Sequence, residues 1–358
     1  MHIVIRLFIT CLLALIAALH VVGQQLQVID KEGNPIAYVC VTDANGILIG
    51  TTDLEGRVAD LKGITTVNLT HVAYRDTTLN TGQIVNNTVT LNDIDFSLPE
   101  VEVKPKELIY VQTYFRLIYI FDEGPVYFRG GVIDNVFDLE KKEVKTKDHS
   151  LSKGQNGFIR FLISTIVGKR IDELARLPET PMFEQVNTLA RDGKLTLSGP
   201  VAASGRVLIS DSVSQLGYID SDHATRAISI DRWAYRKHIK DAEDRAKGKQ
   251  PKKDDFEDSN RTFFESYRVD PDGRSTVADF VMRQINIEGK YKEKQNYILL
   301  FQSYNTDVNY IDKKEYKQLR KENKVDMNIN ELRLFEKAHN IPPLAPDLQA
   351  AIDKLFAK

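Results

Sequence analysis

Between Gln27 and about Val103 the chain sets apolar and polar positions in short runs, each closed by a turn signal. The runs Leu26–Ile29, Ala37–Val41, Ile47–Thr51, Val67–Leu69 and Val89–Leu91 read as strands. Their dividers are Lys31-Glu32-Gly33-Asn34-Pro35, Asp43-Ala44-Asn45-Gly46 and Asp53-Leu54-Glu55-Gly56. The Asn-Gly and Glu-Gly pairs supply the positive φ that tight hairpins need. Strands at this spacing bury a face only by stacking as two sheets, so residues 24–104 are expected to form an all-β sandwich.

Lys104-Pro105-Lys106 breaks the pattern, and residues 105–358 are expected to form an α+β domain. From Glu107, Val111, Phe115 and Ile118 recur at helical spacing, which predicts a helix there. The strands expected beyond it are Phe158–Val167, Lys194–Leu197, Arg206–Ser210, Arg226–Asp231, Ala278–Ile287 and Tyr297–Tyr304. Without helices alternating between them they predict an antiparallel sheet, able to curve toward a half-open barrel, and not a doubly wound one. Three C-terminal helices follow. One opens at Asp312 with Glu315 at capping-box spacing and carries Tyr316 and Leu319; a second carries Leu332, Phe335 and Ala338. The third starts behind Pro346 and sets Leu348, Ile352 and Leu355 on one face. The run from Arg236 to Asp258 intersperses both charge signs, as a solvated helix tip or loop does.

The 358 residues suffice for two domains, and a hydrophobic content of 42% supports full-sized cores. A net charge of −2 gives no long-range attraction to nucleic acid or to an anionic membrane. At the N-terminus, Arg6 precedes the apolar run LFITCLLALIAALHVV and Gly23, the layout of a secretory signal peptide cleaved after Gly23. The run is shorter than the ~20 residues that span a bilayer, and no later segment approaches that length. Removing residues 1–23 leaves Cys40 as the sole cysteine, so no disulfide framework forms within one chain. In the run Tyr38-Val39-Cys40-Val41 it reads as a small core hydrophobe.

The N-terminal pattern resembles the carboxypeptidase regulatory-like domain, a transthyretin-like sandwich. Its G-x-P start is Gly33-Asn34-Pro35-Ile36-Ala37-Tyr38-Val39-Cys40-Val41, and its T-D-x-x-G signature is Gly50-Thr51-Thr52-Asp53-Leu54-Glu55-Gly56-Arg57-Val58. The later strand is Val67-Asn68-Leu69-Thr70-His71-Val72-Ala73-Tyr74, with Ala73 where the pattern has glycine. Leu98-Pro99-Glu100-Val101-Glu102-Val103 is similar to the segment that follows this domain in many Gram-negative envelope proteins, including TonB-dependent transporters. The resemblance implies a fold and a periplasmic or outer-membrane-associated location. The domain recurs as an accessory module, so it names no reaction.

A zinc carboxypeptidase needs His-x-x-Glu and a distant His to hold the metal. Past the leader the histidines are His71, His149, His223, His238 and His339; none has Glu three residues on, and HExxH is absent. A nucleophile elbow, a P-loop and Gly-x-Gly-x-x-Gly are absent as well, so no cofactor or metal site is expected. Asp222 and His223 form the nearest thing to an acid/base pair, but neighbours on an extended strand point apart. Leu177-Pro178-Glu179-Thr180-Pro181 lacks the glycine and apolar tail of a sorting signal, and Asp270-Pro271-Asp272-Gly273 reads as a turn. The aromatic patch Tyr110–Phe137 reads first as a helix packed on the sheet. If part of it is exposed, Tyr110 and Tyr114 are the anchors, flanked by Arg116 and Arg129.

The expectation is therefore an exported envelope protein without catalysis of its own: an accessory sandwich followed by a domain that binds an envelope protein, a glycan or an apolar ligand. Two alternatives stand beside it, a hydrolase of envelope polymers whose paired carboxylates leave no local signature, and a carrier of an apolar ligand within the sheet.

Overall fold

The alternating N-terminal stretch forms short strands because each run can bury only one face. In a computed structural model these are β1 (Leu26–Ile29), β2 (Cys40–Asp43), β3 (Leu48–Thr51), β4 (Arg57–Val58), β5 (Thr66–Thr70), β6 (Thr77–Asn80) and β7 (Thr88–Thr90). The structure describes residues 25–58, 61–96, 106–155, 174, 176–199, 205–221, 224–248, 256–269, 275–291, 295–321 and 325–357. The expected leader and the expected strand Phe158–Val167 lie outside them. The strands pair as two sheets, β4-β1-β7 and β3-β2-β5-β6. Leu26, Val28 and Val89 from the first sheet and Val41, Val67 and Leu69 from the second share one buried cluster. Cys40 is buried and free, and burial pushes its thiol pKa up, so it serves as a small hydrophobe.

The turn motif is built for geometry. The Asp53 carboxylate accepts from the Glu55 and Arg57 N–H groups at 3.0 and 2.8 Å. Gly56 follows at φ 71°, where an added Cβ would lie 2.4 Å from the Val28 carbonyl oxygen. Thr52 donates to the Ile36 carbonyl and accepts from Val39 N–H, joining the two signature segments.

A third, large sheet contains β8 (Leu108–Phe121), β9 (Gly124–Asp138), β10 (Glu143–Gln155), β11 (Thr196–Ser198), β12 (Val207–Ser210), β13 (Gln215–Ser221), β14 (Thr225–Asp231), β15 (Phe256–Arg268), β16 (Phe280–Tyr291), β17 (Gln295–Ile311) and β18 (Val325–Asp326). Its order is β11-β12-β13-β14-β15-β16-β17-β8-β9-β10-β18, with an edge at each end. Neighbours are antiparallel except β10 and β18. The chain is thus mostly β, with several sheets. Among the described residues the helices are α1 (Met182–Arg191), α2 (Arg232–Ala246), α3 (Lys313–Leu319), α4 (Ile329–Ala338) and α5 (Pro346–Asp353).

The helix expected from Glu107 is instead β8, the strand that joins β17 to β9. Its sequence LIYVQTYFRLIYIF is buried almost throughout, because both faces of the sheet are covered here. On β17, Ile298 and Leu300 enter one core while Leu299 and Phe301 enter another. A strand covered on both faces loses the two-residue alternation, and chance helical spacing then emerges from a continuous apolar run. Three C-terminal elements form as expected. Asp312 and Glu315 make a capping box on α3, Asn328 and Glu331 make another on α4, and Pro346 opens α5. The charged run beginning at Arg236 is in part α2, capped by Asp231 and without a buried residue. No helix among the described residues is long and apolar enough to cross a membrane.

Candidate functional site

Loops of the N-terminal sheets meet the large sheet through hydrogen bonds. Along β16 side chains alternate, so Gln284, Asn286 and Glu288 share one face. The Gln284 and Asn286 amides both donate to the Tyr38 carbonyl, at 3.0 and 2.9 Å. Tyr38 holds φ 65°, a left-handed conformation unfavourable for a non-glycine residue, and these two donors fix the carbonyl it presents. The Gln284 oxygen accepts from Val72 N–H and from the Gln302 amide, each at 2.8 Å. Tyr304 donates to the Val72 carbonyl at 3.2 Å, and Thr51 donates to Glu288.

A second seam runs along β13. Ala37 N–H donates to the Tyr218 hydroxyl and the Tyr38 hydroxyl donates to the Leu216 carbonyl. Arg206 closes it. Its guanidinium clasps Asp220 through two nitrogens at 2.8 and 2.9 Å, donates to the Pro35 carbonyl at 3.1 Å, and lies 3.6 Å from the Tyr218 ring centre.

Beside these seams lies a cleft of about 1010 Å³ with walls from both parts. The N-terminal sheets contribute Asp30, Ile36, His71, Tyr74, Asp93 and Phe96; the large sheet contributes Tyr218, Asp220, Phe264, Arg268 and Met282. His71 is 2% exposed and stands edge-on to Phe264, with ring centres 4.8 Å apart. Burial lowers its pKa to about 3, so the imidazole is neutral. Its Nδ1 accepts from Ala73 N–H at 3.2 Å, which places the proton on Nε2. Nε2 has no hydrogen-bond partner among the described residues, leaving an unmatched buried donor on the wall of the cleft.

Behind the cleft, a buried polar network joins the N-terminal sheets, the large sheet and the C-terminal segment. Arg116, 1% exposed, donates to the Gln302 oxygen at 2.6 Å and to the Pro342 carbonyl at 2.8 Å. The Asp76 carboxylate accepts from Thr70 and from Ala345 N–H, at 2.9 and 2.8 Å. Burial raises its pKa to about 6, against the opposing field of Arg116. Tyr114 donates to Glu336, which also pairs with Arg333 at 2.7 Å.

The residues singled out in the sequence do not meet in one site. Tyr114 and Arg116 belong to this interior network and are enclosed, so neither is a surface anchor. Tyr110 donates to Asp134 at 2.7 Å and borders a separate hollow of about 510 Å³. Arg129 is half-buried beside Tyr127. Asp222, His223 and the segment Asp270–Gly273 lie outside the described residues. His238 contacts Asp211 at 2.6 Å, an ion-pair geometry tying α2 to the turn before β13. No cluster of three or more His, Cys, Asp or Glu among the described residues is placed to hold a metal ion. The cleft residues carry no joint sequence signal, because His71, Phe96, Tyr218 and Phe264 come from four distant segments. The signal that could have found the joint is the polar alternation Gln284-x-Asn286-x-Glu288 within a strand that is otherwise largely apolar.

No protein-family model matches the chain, and no curated protein matches it.

Proposed function

We propose that the protein is an exported, non-catalytic binding protein of the Gram-negative envelope, located in the periplasm or at the outer membrane. In this reading an N-terminal carboxypeptidase regulatory-like sandwich and the larger sheet together frame the ligand site. The observation that carries it is the cleft: its walls come from both parts, and the neutral, buried His71 among its lining residues keeps a donor that no described residue accepts. The turn motif supports the sandwich assignment, since Asp53 and Gly56 serve backbone geometry and leave chemistry to the neighbouring surface. In the cleft the two oxygens of Asp220 are held by Arg206 and those of Asp30 by Asn34, an arrangement suited to holding a ligand more than to moving protons.

Thermal melting tests this reading. The purified protein is melted with separate glycan, peptide and lipid fractions of envelope extract. At least one fraction raises the melting temperature, and the rise disappears in Phe96→Ala. If no fraction shifts the wild type, or a stabilising fraction is hydrolysed by the protein, the reading is wrong. N-terminal sequencing of the protein recovered from the envelope fraction checks export, with Gln24 as the expected first residue.

A further inference from the structure

We propose that the cleft takes a short, uncharged oligosaccharide; this rests on the cleft being the binding site. The volume, about 1010 Å³, lies at the upper end of the ~300–1,000 Å³ range of small-molecule pockets, room for more than one sugar ring. Tyr74 and Phe96 line it half-buried, two aromatic side chains of the kind that pack on the C–H face of a pyranose.

The polar groups narrow the class further. Five charged residues line the cleft, and three are already matched: Asp220 with Arg206 at 2.8 Å, Asp93 with Lys31 at 3.4 Å and Arg268 with Asp279 at 4.0 Å. A strongly cationic ligand is therefore not required to balance the walls. Asp30 and Glu32, which have no cationic partner among the described residues, disfavour an anionic one. What the walls offer is mixed: carboxylate oxygens that accept, and the Tyr74 hydroxyl, which donates as well as accepts. A purely apolar ligand would leave these polar groups of the wall unmatched. A sugar hydroxyl both donates and accepts, so one ligand class satisfies both ends while its C–H faces cover the rings.

Saturation-transfer NMR with the purified protein tests this. The probes are neutral oligosaccharides of two to four hexose or N-acetylhexosamine units in α and β linkages, with uronate-bearing counterparts as anionic controls. At least one neutral probe shows transfer and binds tenfold or more tightly than its uronate counterpart. Tyr74→Ala and Phe96→Ala each weaken it at least tenfold while circular dichroism is unchanged. Transfer to no neutral probe, or preference for a uronate, overturns the proposal. If the peptide or lipid fraction still stabilises the protein in a Phe96-dependent way, only the ligand class is wrong. If no fraction does, the binding reading falls with it.

Discussion

Arg116 is the largest fully enclosed side chain among the described residues, and its charge is held between Gln302 and the Pro342 carbonyl. Arg116→Met keeps much of the volume but strips Asp76 and Glu336 of the positive charge that faces them. The expected loss in urea denaturation is about 3–5 kcal/mol, the scale for breaking a buried charge network. Two neighbouring groups titrate with opposite effects. Asp76 rises from 3.8 to about 6 in the folded protein, so folding retains a proton that the unfolded chain releases. Its contribution to stability is full below the lower value and is lost as pH rises through the higher. His71 falls from 6.5 to about 3, so only the unfolded chain gains a proton in that window, and stability grows as pH rises. Urea denaturation at about pH 4.5 and about pH 6.5 separates them: Asp76→Asn steepens the gain in stability with pH, and His71→Gln flattens it. Unchanged slopes in both variants would place the two groups in water. None of this was legible in the sequence. In the sequence Arg116 stands as a flank to aromatics, and His71 as a strand-motif residue and a histidine without a zinc motif, because their partners lie on distant segments.

At the scale of elements, local signals decided what local physics controls. Capping residues and Pro346 announced α3 and α5, since a helix end leaves donors that a nearby side chain satisfies. The strands β9, β10, β13 and β15 were not anticipated. β15, with sequence FEDSNRTFFESYR, is too polar to read as a strand alone, and Glu265 is tolerated inside because Arg283 pairs with it at 2.7 Å and the Tyr267 hydroxyl donates to its other oxygen. The helix α1 also escaped notice, hidden behind Pro178 and Pro181. Close approach within the large sheet gives a test of its register. At Gly217 an added Cβ would stand 2.0 Å from the Ser229 carbonyl oxygen, whereas at Gly199 it would meet no atom of the described residues within 4 Å. Gly217→Ala is expected to destabilise by about 1–3 kcal/mol, and Gly199→Ala by less than about 0.5. Equal effects in chemical denaturation would contradict the pairing of β13 with β14.

Over the whole molecule, the C-terminal segment acts as a clasp between the N-terminal sheets and the large sheet. Pro342 accepts from Arg116 and Ala345 N–H donates to Asp76, so one short stretch satisfies buried groups on both. Ending the chain at Asn340 removes both partners together with α5, whose Leu348 and Ile352 are fully buried. The shortened protein is expected to melt at a markedly lower temperature and to bind a hydrophobic dye. The intact protein is expected to unfold in one transition, with far-ultraviolet circular dichroism and tyrosine fluorescence coincident. The division between alternating N-terminal strands and a longer sheet was foreseeable from the hydropathy pattern. The joint was not, since residues such as Gln284 and Tyr38 gain meaning only when residues far apart in the chain meet. Whether both parts hold one ligand is read by hydrogen–deuterium exchange with and without a stabilising envelope fraction. Exchange is expected to slow at once in the segments around His71–Tyr74 and Ser266–Val269, one from each wall. Protection confined to one wall, or to surfaces outside the cleft, would contradict a shared site.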